Sequence, residues 1–374
     1  MSSLAANARV GTRGAKLRVA LVTPALDASG GIGRVMSYAL DELPSGEVDV
    51  RVLDTRGHSL NPLASIWPLL VAWLRLIGLA LTHRVDVAHV NISASGSTVR
   101  KSLVIWTCRA LRLPVVVHLH ASSYPDFFDG LRPTAQAFVR RTFGAADRVV
   151  VLGSFWSAYA RDVLAVREER LLVLPNAVPG PETAEPIERA AGEPLQLLFL
   201  GRLGARKGVP EILAALASPA LRDEPWAATI AGDGDVEEYR AQAADLGLGE
   251  RTEFPGWVGA AESQALLRTA HVLLLPSHAE GLPISVLESL AHALPVVTTP
   301  VGSIPDVVSD GVEGLLVEPG DVEALGSAVL TLLRDEEHRR ELGRNARRTW
   351  ERGFAARPYA ARLVELWSEA SCAA

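Results

Sequence analysis

The chain has 374 residues, 48% hydrophobic and 21% charged, too many for one ordinary core and enough for two domains of roughly 150 to 200 residues. Its formal net charge of −6 is unevenly spread: residues 1–180 carry 20 Lys+Arg against 13 Asp+Glu, residues 181–374 carry 17 against 30. No basic run with interleaved aromatics occurs, which argues against a nucleic-acid partner, and Cys108 and Cys372 supply neither a disulfide framework nor a metal-ligand spacing. The cysteine usage, and an N-terminus "MSSLAANARVGTRGAK" without an apolar signal core, point to a reducing, cytoplasmic setting.

Residues 1–16 read as a disordered, slightly basic lead-in. Short apolar, β-branched runs then alternate with helix-period segments: 17–23, 48–54, 85–90, 114–120, 148–152 and 171–174, then 195–201, 227–232, 252–254, 271–276, 295–299 and 314–318. Continuous apolar runs of this kind are parallel strands covered on both faces, so each half is expected to be a doubly wound α/β domain. The boundaries fall at 17–180 and 195–357, with the Pro- and Glu-rich stretch 179–194 as linker. The longest apolar run, "IWPLLVAWLRLIGLAL" (66–81), is shorter than the roughly 20 residues a spanning helix needs and contains Pro68 and Arg75. It reads as a packed core helix in preference to an interfacial one. Near the end, Pro358 is expected to break a helix; a last helix, 358–374, carries Tyr359, Leu363, Leu366 and Trp367 on one side and is assigned to the first domain.

Ligands of open parallel sheets bind beyond the carboxyl ends of the strands, and the unusual residues follow those ends. "GRLGARKG" (201–208) places Arg202 and Lys207 among glycines, an arrangement suited to a diphosphate. In "SHAEGLPISVLESL" (277–290) a helix is expected from Pro283 to about Ala293, so Glu280 lies in the loop before it and Glu288 inside it. The N–H groups of Gly281 to Ser285, Pro283 excepted, can hold a phosphate oxygen, with an acid on either side for sugar hydroxyls. That is the layout of a nucleotide-sugar. A solvated Glu280 and a Glu288 paired with a neighbouring Arg would explain either acid alone, but not both acids with both cations.

Other motifs are weaker. In "GGIGR" (30–34), Gly31 and Gly33 fit the first two positions of a dinucleotide fingerprint, but Met36 occupies the third. In "HLHAS" (118–122), His118 and His120 share a strand face; His118 reads as a satisfied core residue, and no third ligand favours zinc. "AGDGD" (231–235) reads as a turn followed by an N-cap, not as a metal site at Asp233 and Asp235.

"EGLPISVLE" resembles the Glu-x7-Glu motif of retaining GT-B glycosyltransferases, and "GRLGARKG" the Gly-Arg-…-Lys-Gly element that precedes it there. "GGIGRV", "HLHAS", "LPNAV" (174–178) and "TTPVGSIPDVV" (298–308) fall in the same order, so the chain is similar to glycosyltransferase family 4 from about residue 17. The resemblance implies a GT-B fold, two Rossmann-like domains facing a central cleft, with acceptor in the first and nucleotide-sugar donor in the second. It implies that Glu280 contacts the transferred sugar, that Glu288 holds the ribose, and that Arg202 and Lys207 neutralise the leaving diphosphate without a metal or cofactor. Gly281, Leu282 and Pro283 would complete the donor site, Gly31 and Gly33 would form a loop near the donor phosphates, and His120 would lie near the reactive carbon. The implied activity is transfer of a hexose, with retention, from a UDP- or GDP-sugar to a glycan or polyprenyl-diphosphate-linked acceptor, for exopolysaccharide or lipopolysaccharide synthesis at the inner membrane face. Residues 91–101 and 122–133 are candidates for the acceptor, and peripheral membrane contact through the first domain is compatible with its basic charge. The competing functions are a nucleotide-sugar epimerase of the same fold and a non-catalytic nucleotide-sugar-binding protein.

Overall fold

The computed structural model describes residues 16–26, 30–57, 65–120, 122–190 and 192–372, so the lead-in expected over 1–16 lies, except for Lys16, outside the described residues. The first half runs β1 (Leu17–Thr23), α1 (Gly31–Asp41), β2 (Val48–Asp54), α2 (Ile66–Leu81), β3 (Val87–Ile92), α3 (Gly96–Ala110), β4 (Val115–Leu119), α4 (Tyr124–Asp129), α5 (Pro133–Gly144), β5 (Arg148–Val151), α6 (Ser154–Asp162) and β6 (Leu171–Val173). The second runs β7 (Leu195–Leu200), α7 (Val209–Leu216), α8 (Pro219–Arg222), β8 (Trp226–Ala231), α9 (Val236–Asp245), β9 (Thr252–Gly256), α10 (Ala260–Thr269), β10 (Val272–Leu275), α11 (Ile284–Ala291), β11 (Val296–Thr298), β12 (Gly314–Leu316), α12 (Val322–Arg334), α13 (Glu336–Gly353) and α14 (Ala356–Cys372).

These strands form two parallel six-stranded sheets, ordered β2-β1-β3-β4-β5-β6 and β12-β11-β10-β7-β8-β9. Every strand falls on one of the apolar runs. The reason is plain in β3 and β4, which are buried at each position because helices cover both faces. Strand order reverses at β1/β3 and at β7/β10. The loops after β1, β7 and β10 therefore leave the sheets at their switch points, where a crevice opens. This is the doubly wound, two-domain GT-B architecture.

Three local expectations need correction. The helix break near the C-terminus lies at 354–355, ahead of Pro358, which sits in the first turn of α14 where a missing N–H loses no intrahelical bond. Likewise α11 begins at Ile284, and Pro283 is its extended N-cap. The apolar segment 66–81 is helical but is not a core helix: only Ala72 and Leu76 are buried, while Ile66, Trp67, Leu70, Leu74 and Leu81 are exposed. It packs on the edge strand β2 and on α3, so only a narrow stripe meets protein. No helix among the described residues is long and apolar enough to cross a membrane.

The last helix returns to the first sheet. Leu363, Leu366 and Trp367 of α14 share a buried cluster with Val19, Leu21, Val87 and Val116 beneath α1. The stretch 179–194 is pinned by Arg347, whose guanidinium donates to the carbonyls of Pro181, Glu182 and Ala291 at 2.6–3.2 Å.

Candidate functional site

A cleft of about 670 Å³ lies between the carboxyl edges of the two sheets. Arg202, Lys207, His120, Gly31, Glu280, Gly281, Leu282, Pro283 and Glu288 all line it. Gly33 does not: its α-carbon faces the carbonyls of Ala25 and Leu26, where an added Cβ would come within 2.9–3.0 Å, so its smallness seats α1 on the loop before it.

Two glycines bring the donor-side loops together. Gly208 has φ +75°, and a Cβ there would sit 2.2 Å from the carbonyl oxygen of Pro276; Gly302 has φ +59°, and its Cβ would sit 2.1 Å from that of Glu280. Their close approach sets Lys207 beside Glu280. Lys207 Nζ donates to Glu280 Oε1 at 2.5 Å and Ser277 Oγ donates to the same oxygen at 2.7 Å, with the lysine 14% and the glutamate 6% exposed. Arg202 is 63% exposed and leans on Asp233 at 3.4 Å.

The loop between Glu280 and α11 is held by its carbonyls. Gly281 O accepts from Trp156 Nε1 at 3.3 Å and from Ser303 N at 2.8 Å, and Leu282 O accepts from Asn176 Nδ2 at 2.8 Å. The N–H groups of Gly281 and Leu282 meet no acceptor among the described residues. Those of Ile284 and Ser285 are first-turn donors without an intrahelical partner. An anion fits there.

Glu288 is 1% exposed; its Oε1 accepts from Tyr38 Oη at 2.8 Å and forms an ion pair with Arg34, whose Nη2 lies 2.9 Å away. Burial raises its carboxyl above the usual range, against the pull of Arg34 and Tyr38. Each acid thus has a cationic partner: Lys207 from its own domain for Glu280, Arg34 from the opposite domain for Glu288. Sequence reasoning passed over Arg34 and Tyr38, although "GGIGRV" and the i, i+4 spacing of the two on α1 were visible.

On the opposite wall, His120 follows β4 and its Nε2 lies 2.9 Å from Asn91 Oδ1. With Asn91 presenting its carbonyl, the proton sits on Nε2 and Nδ1 is left as an acceptor. Burial, then His89, pushes the His120 imidazole down to about 3, so the ring is neutral at physiological pH. His118 is buried as expected but is not satisfied: neither ring nitrogen has a partner among the described residues, and it stacks 3.9 Å from His120. "AGDGD" forms the expected turn, with Gly232 and Gly234 at φ +150° and +111° against Gly201 and Leu203. Asp235 occupies the N-cap of α9 but makes no side-chain cap bond, and Asp233 lines the cleft instead. Among the described residues no three His, Cys, Asp or Glu side chains cluster to hold a metal ion.

Residues 4–177 match the family described as glycosyl transferase 4-like domain, and residues 182–349 match glycosyl transferases group 1. A phosphatidyl-myo-inositol mannosyltransferase of Mycobacterium leprae is 32% identical over 245 residues, 63% of this chain and 62% of that protein. Alignments with other curated relatives span as little as 24% of their own length, and 37% for a glycogen synthase of Mycobacterium tuberculosis. Among solved structures, sucrose-phosphate synthase from Thermosynechococcus elongatus superposes with a TM-score of 0.75 at 20% identity, covering 96% of this chain and all of that one. Anabaena Alr3699/HepE in complex with UDP and glucose gives 0.71 at 18%, covering 94% of this chain and all of that one. Those two likenesses speak for the fold alone. With the two family matches together spanning nearly the whole sequence, the chain belongs to the GT4-type glycosyltransferase family and has the GT-B fold.

Proposed function

We propose that this glycosyltransferase moves a hexose, with retention of configuration, from a UDP- or GDP-sugar to a glycan or polyprenyl-diphosphate-linked saccharide in exopolysaccharide or lipopolysaccharide synthesis, at the cytoplasmic face of the membrane. The observation that carries the reading is the N–H pair of Gly281 and Leu282, without an acceptor among the described residues, in a cleft that Arg202, Lys207 and the buried carboxylates Glu280 and Glu288 also line. A diphosphate suits the N–H pair and the cations, the hexose suits Glu280, and the ribose suits Glu288.

In that pose the bond from the anomeric carbon to the diphosphate oxygen breaks, and its electron pair goes to the diphosphate. Lys207 and Arg202 stabilise the charge that develops, as fixed cations standing where a metal would otherwise serve. Glu280 Oε1 already holds Lys207 and Ser277, which makes it a poor nucleophile. The acceptor hydroxyl therefore attacks from the face the diphosphate leaves, forming the new glycosidic bond, and a diphosphate oxygen takes the proton. His120, neutral with Nδ1 as acceptor, suits a sugar hydroxyl near the reacting carbon.

A lipid-linked acceptor is favoured by the outer surface of the first domain. Helices α2, α3 and α5 contain no Asp or Glu, yet expose Trp67, Leu70, Leu74, Val99, Leu103, Trp106 and Phe138 beside Arg75, Arg109 and Arg141. An anionic membrane surface complements that face. The name of the M. leprae relative likewise denotes a lipid, phosphatidyl-myo-inositol.

The test is incubation with UDP- and GDP-hexoses in EDTA, with and without a polyprenyl-diphosphate saccharide. Nucleotide release that requires the acceptor, and a product with the donor's anomeric configuration, are expected. A new nucleotide-sugar formed without acceptor would mean epimerisation, and loss of turnover in EDTA restored by a divalent ion would overturn metal independence.

A further inference from the structure

Arg34 and Tyr38 belong to the first domain, yet their side chains end on an acid of the second. They lie one helical turn apart on α1 and face the same way. Arg34 Nε donates to Tyr38 Oη at 2.7 Å, so the tyrosine's own proton is free to go to Glu288 Oε1 at 2.8 Å, while Arg34 Nη2 meets that same oxygen at 2.9 Å. Ser263 Oγ on α10 lies 3.5 Å from Arg34 Nη2 and steadies the guanidinium from the other side. Next to this triangle the domains touch closely: an added Cβ on Gly31 would come within 3.2 Å of Ile284 Cδ1.

Both contacts end on Oε1. Among the described residues Oε2 of Glu288 takes no hydrogen bond, and Glu288 lines the cleft together with Arg34 and Tyr38. A carboxylate with one oxygen fixed from behind presents the other in a single orientation. The two partners also pull its carboxyl toward the ionised form, against the burial that raises it. An ionised carboxylate can accept from ribose hydroxyls, whereas a protonated one would spend its proton as a donor.

We infer that Arg34 and Tyr38 are positioning residues for the donor: they hold Glu288 oriented toward the nucleoside's ribose, so that the first domain completes a site built mainly by the second. This rests on the reading above, in which Glu288 takes the ribose. It follows that nucleoside recognition and apposition of the two domains are one event, because the triangle exists only when α1 meets α11. A ribose hydroxyl is then read only by the assembled pair of domains.

The experiment is calorimetric titration of the full chain with UDP, GDP and their 2′-deoxy counterparts, for wild type, Arg34→Met, Tyr38→Phe and Glu288→Gln. Wild type is expected to prefer the ribonucleotide by about tenfold, a typical worth of a hydrogen bond to a charged group. Arg34→Met should weaken ribonucleotide binding by a similar factor and leave the deoxy form nearly unchanged, so that the preference collapses as it does in Glu288→Gln. Tyr38→Phe should show the same collapse in smaller measure. It removes one hydroxyl, and it decides the matter if Arg34→Met lowers the melting temperature. A merely structural role would weaken both nucleotides equally or only destabilise the fold; retention of the wild-type preference in folded Arg34→Met and Tyr38→Phe would overturn the inference. If wild type bound neither UDP nor GDP, the reading of the whole site would fail first and this one with it.

Discussion

Lys207 and Glu280 neutralise one another at 2.5 Å in a largely buried corner of the cleft. Removing one member of such a pair strands the other charge, at roughly 3 to 5 kcal/mol for fully buried partners. The cost here belongs at the low end, because Ser277 still donates to the carboxylate. Lys207→Met should therefore destabilise the fold by about 3 kcal/mol in urea titration and lower kcat by about 100-fold or more, the scale seen when one charge-stabilising donor is lost. Adding Glu280→Gln should restore most of the stability and none of the turnover. If Lys207→Met transferred sugar at the wild-type rate, its place at the leaving group would be wrong. If the double variant were no more stable than the single one, the two groups would not be coupled as their geometry implies.

Elements show where sequence is sufficient and where it is not. The twelve strands were legible because burial on both faces forces uninterrupted apolar runs, and the loops carrying Arg202, Lys207 and Glu280, with Glu288 on the helix after the last of them, were legible because they follow strand ends. The partner of Glu288 was not: Arg34 is 254 residues away along the chain, and no local pattern reports a contact made by two domains closing. Gly33 was misread because a glycine needed for helix seating and one needed beside a ligand look alike in sequence. Helix α2 was misread for a related reason, since apolar residues on a helix say that a face wants cover without saying what covers it. Trp67, Leu70 and Leu74 occupy one exposed stripe, while Trp73 Nε1 donates inward to Thr107 Oγ1 at 2.8 Å and fixes α2 on α3. Changing Trp67, Leu70 and Leu74 together to serine should lower the melting temperature by only a few degrees, because the three side chains are 71%, 38% and 55% exposed. The same variant should lose co-sedimentation with vesicles containing phosphatidylglycerol, whereas neutral phosphatidylcholine vesicles should bind even wild type weakly. Equal sedimentation of variant and wild type would remove α2 from the membrane reading.

At the scale of the molecule, closure involves polar contacts between halves, among them Glu288 with Arg34 and Tyr38, Trp156 and Asn176 with the carbonyls of Gly281 and Leu282, and Asp306 with the backbone and hydroxyl of Ser154 at 2.8 and 2.5 Å. The C-terminal helix ties the chain back to the first sheet, and one of its ties is sensitive to protons. Trp367 Nε1 donates to His89 Nδ1 at 3.0 Å, which requires that nitrogen to be unprotonated. His89 touches His118 edge-on, and burial holds His89 down to about 4 and His118 well below its ordinary value. In the unfolded chain both would titrate near 6.5. Above that pH neither state carries the protons and nothing is lost. Below it the unfolded chain binds them and the folded protein does not, so stability falls by ~1.4 kcal/mol per pH unit for each histidine. Glu288 acts with the opposite sign: its raised carboxyl takes up a proton in the folded state first, which offsets part of the loss as the pH approaches its folded value. Five histidines held down by burial, His89, His118, His120, His271 and His292, against one raised carboxylate leave a net decline, so unfolding free energy from urea titrations should be level between pH 8 and 7 and drop by about 2 kcal/mol or more between pH 6.5 and 5. Release of α14 should accompany it, read as greater proteolytic access near residues 354–356. A stability curve that stayed level down to pH 5 would mean that His89 and His118 can charge in place, and that the bond from Trp367 does not fasten the last helix.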